Sequence, residues 1–188
     1  MTVSNIPYEF IRQHVELGWP EIKFGLDQQL LKPKAAIDKA TDLLSVADDV
    51  PKEVIELAGL GESEPVTELV STLITKEVPP SDGQIKAKWL YLVLAWLFEN
   101  RESLVDALGM VESVYSDFDY PKEIASFVRY MPLNELDLGN REQNEARMFE
   151  RWKTYLGQAK TRIDYELNIV DIPHKGEKDS SGAKASPE

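Results

Sequence analysis

The 188-residue chain predicts an all-α fold: a single compact domain of about eight or nine helices over residues 5–172, followed by a disordered polar tail at 173–188. Three observations carry that reading. Apolar residues recur at helical spacing throughout, and strand alternation does not. Prolines keep falling where first helical turns would lie, positions in which their missing N–H costs nothing. The run from Trp89 to Phe98, WLYLVLAWLF, has no charge, Gly or Pro. A helix apolar on every face has to be wrapped by others, so a central helix is expected near 85–98. Spanning a bilayer takes about 20 apolar residues, which makes this run a core helix and not a membrane segment.

The elements follow in order. Asn5 is placed to cap a first helix, with Pro7 in its first turn, a face of Phe10, Ile11, His14 and Val15, and a stop at Gly18. Trp19-Pro20 opens a second helix with Ile22, Leu26 and Leu30 inward. Pro33 ends it and starts a third, with Ala36, Ile37, Ala40, Leu43 and Leu44 inward. Pro51 begins a helix bearing Val54, Ile55, Leu57 and Ala58 that ends at Gly59 or Gly61. Ser63 to Pro65 starts the next, with Val66, Leu69, Val70, Leu73 and Ile74.

Val78 to Gly83 is a clear break, after which Ser81 or Asp82 caps the central helix, and Asn100 marks its turn. An acidic helix follows with Leu104, Leu108, Val111, Tyr115 and Phe118 facing the core. Pro121 starts a short helix with Ile124, Phe127 and Val128, and Pro132 ends it. After the loop LNELDLG, Asn140 caps a long final helix bearing Phe149, Trp152, Leu156, Ala159 and Ile163. Beyond Pro173 the sequence HKGEKDSSGAKASPE has no apolar period, hence the expectation of disorder.

Composition narrows the function classes. With 21 Lys plus Arg against 33 Asp plus Glu the net charge is −12, and the tail is charge-balanced, so the acidity belongs to the folded body. Such a surface repels phosphate backbones and attracts basic proteins, although acidity also serves plain solubility. There is no cysteine, which excludes disulfides, thiolate metal sites and cysteine nucleophiles. The opening Met1-Thr2-Val3-Ser4-Asn5 lacks the features of a secretory signal, so a cytoplasmic location is expected.

No motif identifies a reaction. His14 and His174 are the only histidines, and His14, on an apolar face, reads as a core-edge side chain with its hydrogen bond satisfied. Gly59-Leu60-Gly61 lacks the third glycine and the preceding strand of a dinucleotide loop. Asp117 and Asp119 invite a carboxylate-and-Mg²⁺ reading, which would need them to meet Glu142 or Glu145 in a cleft. Against it, Phe118 between them reads as the buried anchor, and Asp119 as a cap for the helix begun at Pro121. Trp19 reads as a staple at the start of its helix. The final helix pairs its own charges, Arg141 with Glu145 and Arg147 with Glu150. No catalytic residue, metal site or cofactor is assigned.

The acidity concentrates after the apolar run, where Glu99, Glu102, Asp106, Glu112, Asp117, Asp119 and Glu123 face only Arg101 and Lys122. The same region carries a resemblance. Lys88 to Pro132, densest at VESVYSDFDYPKEIASFVRYMP, then Asn144 to Leu156, together with Phe10 to Leu44, resembles a bacterial group, domain-of-unknown-function family 2247, over most of Ile6 to about Leu156. No catalytic residues are established for that group, so none carries over. Its members look like immunity proteins of polymorphic-toxin systems. The resemblance thus implies a non-enzymatic inhibitor that binds a cognate basic toxin, with neither nucleic acid nor membrane as partner. Charge density places the contact surface at Glu102, Asp106, Glu112, Asp117, Asp119 and Tyr120, with Glu123 on its margin. A helical adaptor for another partner fits the same composition.

Overall fold

The computed structural model describes residues 3–47, 49–132 and 139–170, and among these there are helices and no strands. The order is α1 (Tyr8–His14), α2 (Trp19–Asp27), α3 (Lys34–Val46), α4 (Lys52–Ala58), α5 (Thr67–Ile74), α6 (Asp82–Glu99), a 3-10 turn (Arg101–Ser103), α7 (Ala107–Asp117), a second 3-10 turn (Lys122–Phe127) and α8 (Arg141–Val170). The tail expected at 173–188 and most of the loop before α8 lie outside the described residues.

The apolar run lies within α6, and its burial explains the packing. Trp89 to Ala95 and Leu97 are buried without interruption, while Trp96 and Phe98 are half-buried. A helix with buried residues on every side needs neighbours all round, and α1, α2, α7 and α8 supply them. Its start is fixed by Ser81, whose Oγ accepts from the Gln84 N–H at 3.3 Å while Gln84 Oε1 accepts from the Ser81 N–H at 2.9 Å. That reciprocal pair is a capping box. The indole N–H of Trp89 donates to the Glu21 carbonyl at 2.9 Å and ties α6 to α2. Gly25 lets the helices come this close, because a Cβ there would run into the Trp89 ring and Leu31.

Two groups of helices flank α6. On the N-terminal side α2 packs on α5, α5 on α4 and α4 on α3. On the other side α8 lies across the Lys122–Phe127 turn, with Trp152 stacked parallel to Phe127 at 6.0 Å. Trp19, the first residue of α2, is buried, and its main-chain N–H donates to Glu77 Oε2 at 2.9 Å. His14 behaves as expected. Its Nδ1 lies 2.9 Å from the Phe10 carbonyl and its Nε2 2.9 Å from Glu99 Oε1, with the ring stacked on Phe10.

Several local expectations are corrected. Asn5 does not cap α1; it has φ 58°, and Pro7 holds the cap position without a side-chain bond. Asn5 and Ile6 instead donate to the Gln29 and Leu30 carbonyls, which staples the N-terminal segment to the exit of α2. That helix stops at Asp27, earlier than Pro33 suggested, because Gln29 turns the chain with φ 59°; Leu30 is still fully buried. Leu44 and Ile55, expected inward, are exposed. Leu104 precedes α7 instead of opening it, since the true cap is Asp106.

Candidate partner-binding site

The acidic segment builds a surface around α7, and its side chains have unequal roles. Asp106 has non-helical backbone angles (φ −147°, ψ 84°) and its Oδ1 accepts from the Gly109 N–H at 2.9 Å, which makes it the N-cap of α7. The same carboxylate receives Arg129 through Nη1 at 3.1 Å and Nη2 at 2.8 Å. Arg129 also reaches Glu112, with Nε at 2.8 Å from Oε1 and Nη2 at 3.1 Å from Oε2. One guanidinium thus clamps two carboxylates, a geometry suited to its planar fork. The clamp leaves its mark on both partners. The Asp106 carboxyl is held below its ordinary value, first by Arg129 and then by the Gly109 N–H. Arg129 is raised by Glu112 and Asp106 in turn.

The other end of α7 is aromatic. Asp119 and Tyr120 both adopt left-handed backbone angles, φ 61° and 59°. Their N–H groups donate to the Ser116 carbonyl at 3.3 Å and the Tyr115 carbonyl at 2.8 Å, closing the end of the helix. Left-handed angles are tolerable for Asp but unfavourable for a bulky Tyr, at about 1 kcal/mol or more. The strained turn holds the Tyr120 ring 60% exposed, edge-on to buried Tyr115 at 5.3 Å. Tyr130, 57% exposed, lies on the other flank of Tyr115 at 6.2 Å. Its hydroxyl is pushed above the ordinary tyrosine value by burial, then by Tyr115, Tyr120 and Glu112.

The remaining expected residues are placed as follows. Asp119 does not cap the turn after Pro121, which has no side-chain cap; its carboxylate accepts from Lys86 of α6 at 2.8 Å. Asp117 is exposed as the last residue of α7. Glu102 stands apart on the Arg101–Ser103 turn, 3.7 Å from Arg101. Glu123 is exposed beside Tyr155 and Arg162 of α8. The structure therefore joins Asp106 and Glu112 in one clamp and sets Asp119 and Tyr120 at the other end of α7, with Glu102 on the turn before that helix and Glu123 beside α8. Sequence reasoning missed Arg129 and Tyr130, although both stand in the VRYMP end of the segment that carries the resemblance.

Among the described residues no group of three or more His, Asp or Glu side chains is placed to hold a metal ion. Glu145, one of the acids a Mg²⁺ cleft would have required, is paired with Arg141 at 2.8 Å. None of the described helices is long and apolar enough to cross a membrane.

A comparison with protein families matches residues 8–160 to a family described as uncharacterised protein conserved in bacteria, DUF2247. The chain belongs to that family. The DUF2247 match runs from α1 into α8 and takes in the whole α7 surface. Comparisons with curated proteins and with solved structures find no match.

Proposed function

We propose that this DUF2247 protein is a non-enzymatic, cytoplasmic immunity protein that binds a basic bacterial toxin directly and neutralises it. The observation that carries the reading is the α7 surface, on which Tyr120 and Tyr130 project from buried Tyr115 beside Glu112, Asp117 and Asp119. Exposed tyrosines on a rigid support are frequent interface anchors, because they bury much area for little conformational entropy. Acids around them attract a cationic partner and steer its approach. The net charge of −12 extends that attraction to longer range. Within the surface, Asp106 and Glu112 are engaged by Arg129, so their first role is to fix α7, while the exposed tyrosines form the contact itself.

The test uses the C-terminal domain encoded by the open reading frame next to this gene. Tyr120→Ala is expected to weaken its binding about 30-fold, the size of a hot-spot loss near 2 kcal/mol. Asp117→Lys with Asp119→Lys is expected to slow association and flatten its salt dependence. Binding unchanged in both variants would refute this surface, and no binding by the wild-type protein would refute the toxin as partner.

A further inference from the structure

The described residues bury three charged side chains, and two of them are answered by a partner of opposite charge. Lys88 donates to Glu21 at 2.6 Å, and Lys76 to Glu53 at 2.5 Å. Lys39 is the exception. It is 7% exposed, and among the described residues nothing accepts a hydrogen bond from its ammonium, which lies 5.2 Å from the centre of the Trp19 ring. A cation–π contact leaves all three N–H donors unmade. Burial pushes the amine below its ordinary value, and the more distant Glu77, Glu16, Glu21 and Asp42 only oppose that. The side chain is buried along its length while its ammonium borders a groove, where water or a ligand oxygen supplies the acceptors that the protein does not.

Lys39 lines a groove of about 510 Å³ between α1 and α3. Here α1 packs on α6 and α3 on α4, and an Arg12–Asp42 ion pair at 3.7 Å spans the groove between them. Val15, Leu17, Leu43 and Val46 give it apolar walls, and Glu16 and Asp42 give it acidic ones. The segment after α1 is extended, with Val15 at φ −148°, ψ 154°, and the N–H groups of Glu16 and Leu17 donate to no described residue. A stretch of extended main chain with unmade donors, beside apolar pockets, is what a docked peptide strand requires. The charge balance selects the kind of peptide. Glu9, Glu16 and Asp42 line the groove against Lys39 and Arg12, and Arg12 is shared between Glu9 and, at 3.7 Å, Asp42, so the acids outnumber the bases by one. An anionic ligand is disfavoured there, while an uncharged carbonyl flanked by basic side chains is favoured.

We infer that the groove between α1 and α3 receives an extended, basic peptide segment of a partner protein, one of whose main-chain carbonyls accepts from the Lys39 ammonium. The site lies on other helices than α7 and stands whether or not the α7 surface binds a toxin. Two peptides test it by nuclear magnetic resonance on the full chain: acetyl-Lys-Leu-Lys-Leu-amide and its counterpart acetyl-Glu-Leu-Glu-Leu-amide, with N-methylacetamide as the small acceptor. The basic peptide should shift the Glu16 and Leu17 amides and the Lys39 side-chain signal, and bind at least tenfold tighter than the acidic one. Lys39→Met should weaken it at least tenfold. Glu16→Lys with Asp42→Lys, both at accessible positions, should abolish the preference for the basic peptide independently of any effect at Lys39. Unshifted Glu16 and Leu17 amides, equal binding of the two peptides, or the same shifts from N-methylacetamide at equal concentration would overturn the inference. The last result would make the groove a site for small uncharged acceptors.

Discussion

Asp106 shows how one residue can carry two kinds of energy that separate variants distinguish. Its side chain caps α7 through the Gly109 N–H and holds Arg129 at 2.8 Å. Asp106→Asn keeps a good capping oxygen and removes the charge, so it should cost only the few tenths of a kcal/mol typical of an exposed ion pair. Asp106→Ala removes the cap as well and should cost about 1 kcal/mol more. Urea denaturation of the two variants would show the difference, and equal losses would mean that the cap contributes nothing. The linkage has a definite sign. Because Arg129 lowers the Asp106 carboxyl in the folded state, its stabilisation is present above the unfolded value of 3.8 and is lost as pH falls through the folded one. Lys39 is the opposite case, a charge that folding disfavours. Lys39→Met should raise stability by about 1 kcal/mol, or roughly 2–4 °C in a chain of this size. Its amine is lowered in the folded state, so the wild type should regain that difference as pH rises from the folded value towards the unfolded 10.5. A melting temperature that falls in Lys39→Met at pH 7 would contradict an unanswered buried charge.

At the scale of elements, close approach and local signals decide which features could be read from the sequence. Gly25 sits where α2 meets the Trp89 ring of α6, so Gly25→Ala should force the two helices apart and destabilise by about 1–3 kcal/mol despite its gain in helix propensity. Thermal unfolding checks this, and a neutral outcome would mean that the α2–α6 contact yields readily. The existence of the helices was legible because periodicity and proline placement are local. The apolar run of α6, the Ser81 cap and Asn140, whose Oδ1 accepts from the Glu142 N–H at 2.8 Å, were all readable for that reason. The start of α7 was not. Leu104 and Leu108 stand four apart as in a helix, but Asp106 between them takes the non-helical angles of a cap. The acids of the candidate site were visible as charge density, yet their roles depend on Arg129, brought back to α7 by the Lys122–Phe127 turn. Asp119 likewise has the composition of a cap, but its carboxylate is taken by Lys86, which is distant in sequence and close only after α6 and α7 pack. Spacing along one helix carries no information about such partners.

At the scale of the whole molecule, three tyrosines report on packing in three different parts of the chain. Tyr8 in α1 and Tyr91 in α6 are each pushed up to about 12, mainly by burial, with Asp42 the next cause for Tyr8 and Asp164 for Tyr91. Tyr155 in α8 is raised as well, by burial and then by Glu123. Unfolded tyrosine ionises near 10, so between about 10 and 12 the unfolded chain releases protons that the folded chain retains. The stability these groups support is therefore intact below pH 10 and is lost as pH climbs through that window. A general effect runs in the same direction, because lysines discharge there and a chain already at −12 becomes more negative. Salt separates the two. Screening weakens repulsion among exposed charges but acts much less on groups out of water. The expected outcome is an alkaline fall in melting temperature that persists in high salt and becomes shallower in Tyr91→Phe. Because Tyr120, Tyr130 and Tyr165 are exposed, the phenolate of the buried ring is read as the absorbance difference between wild type and Tyr91→Phe. With α1 and α8 both packed on α6, that difference and the loss of helical circular dichroism should coincide in one transition. A fall that high salt removes, or a difference signal well before any helix is lost, would show that surface repulsion and not burial of these rings sets the alkaline limit.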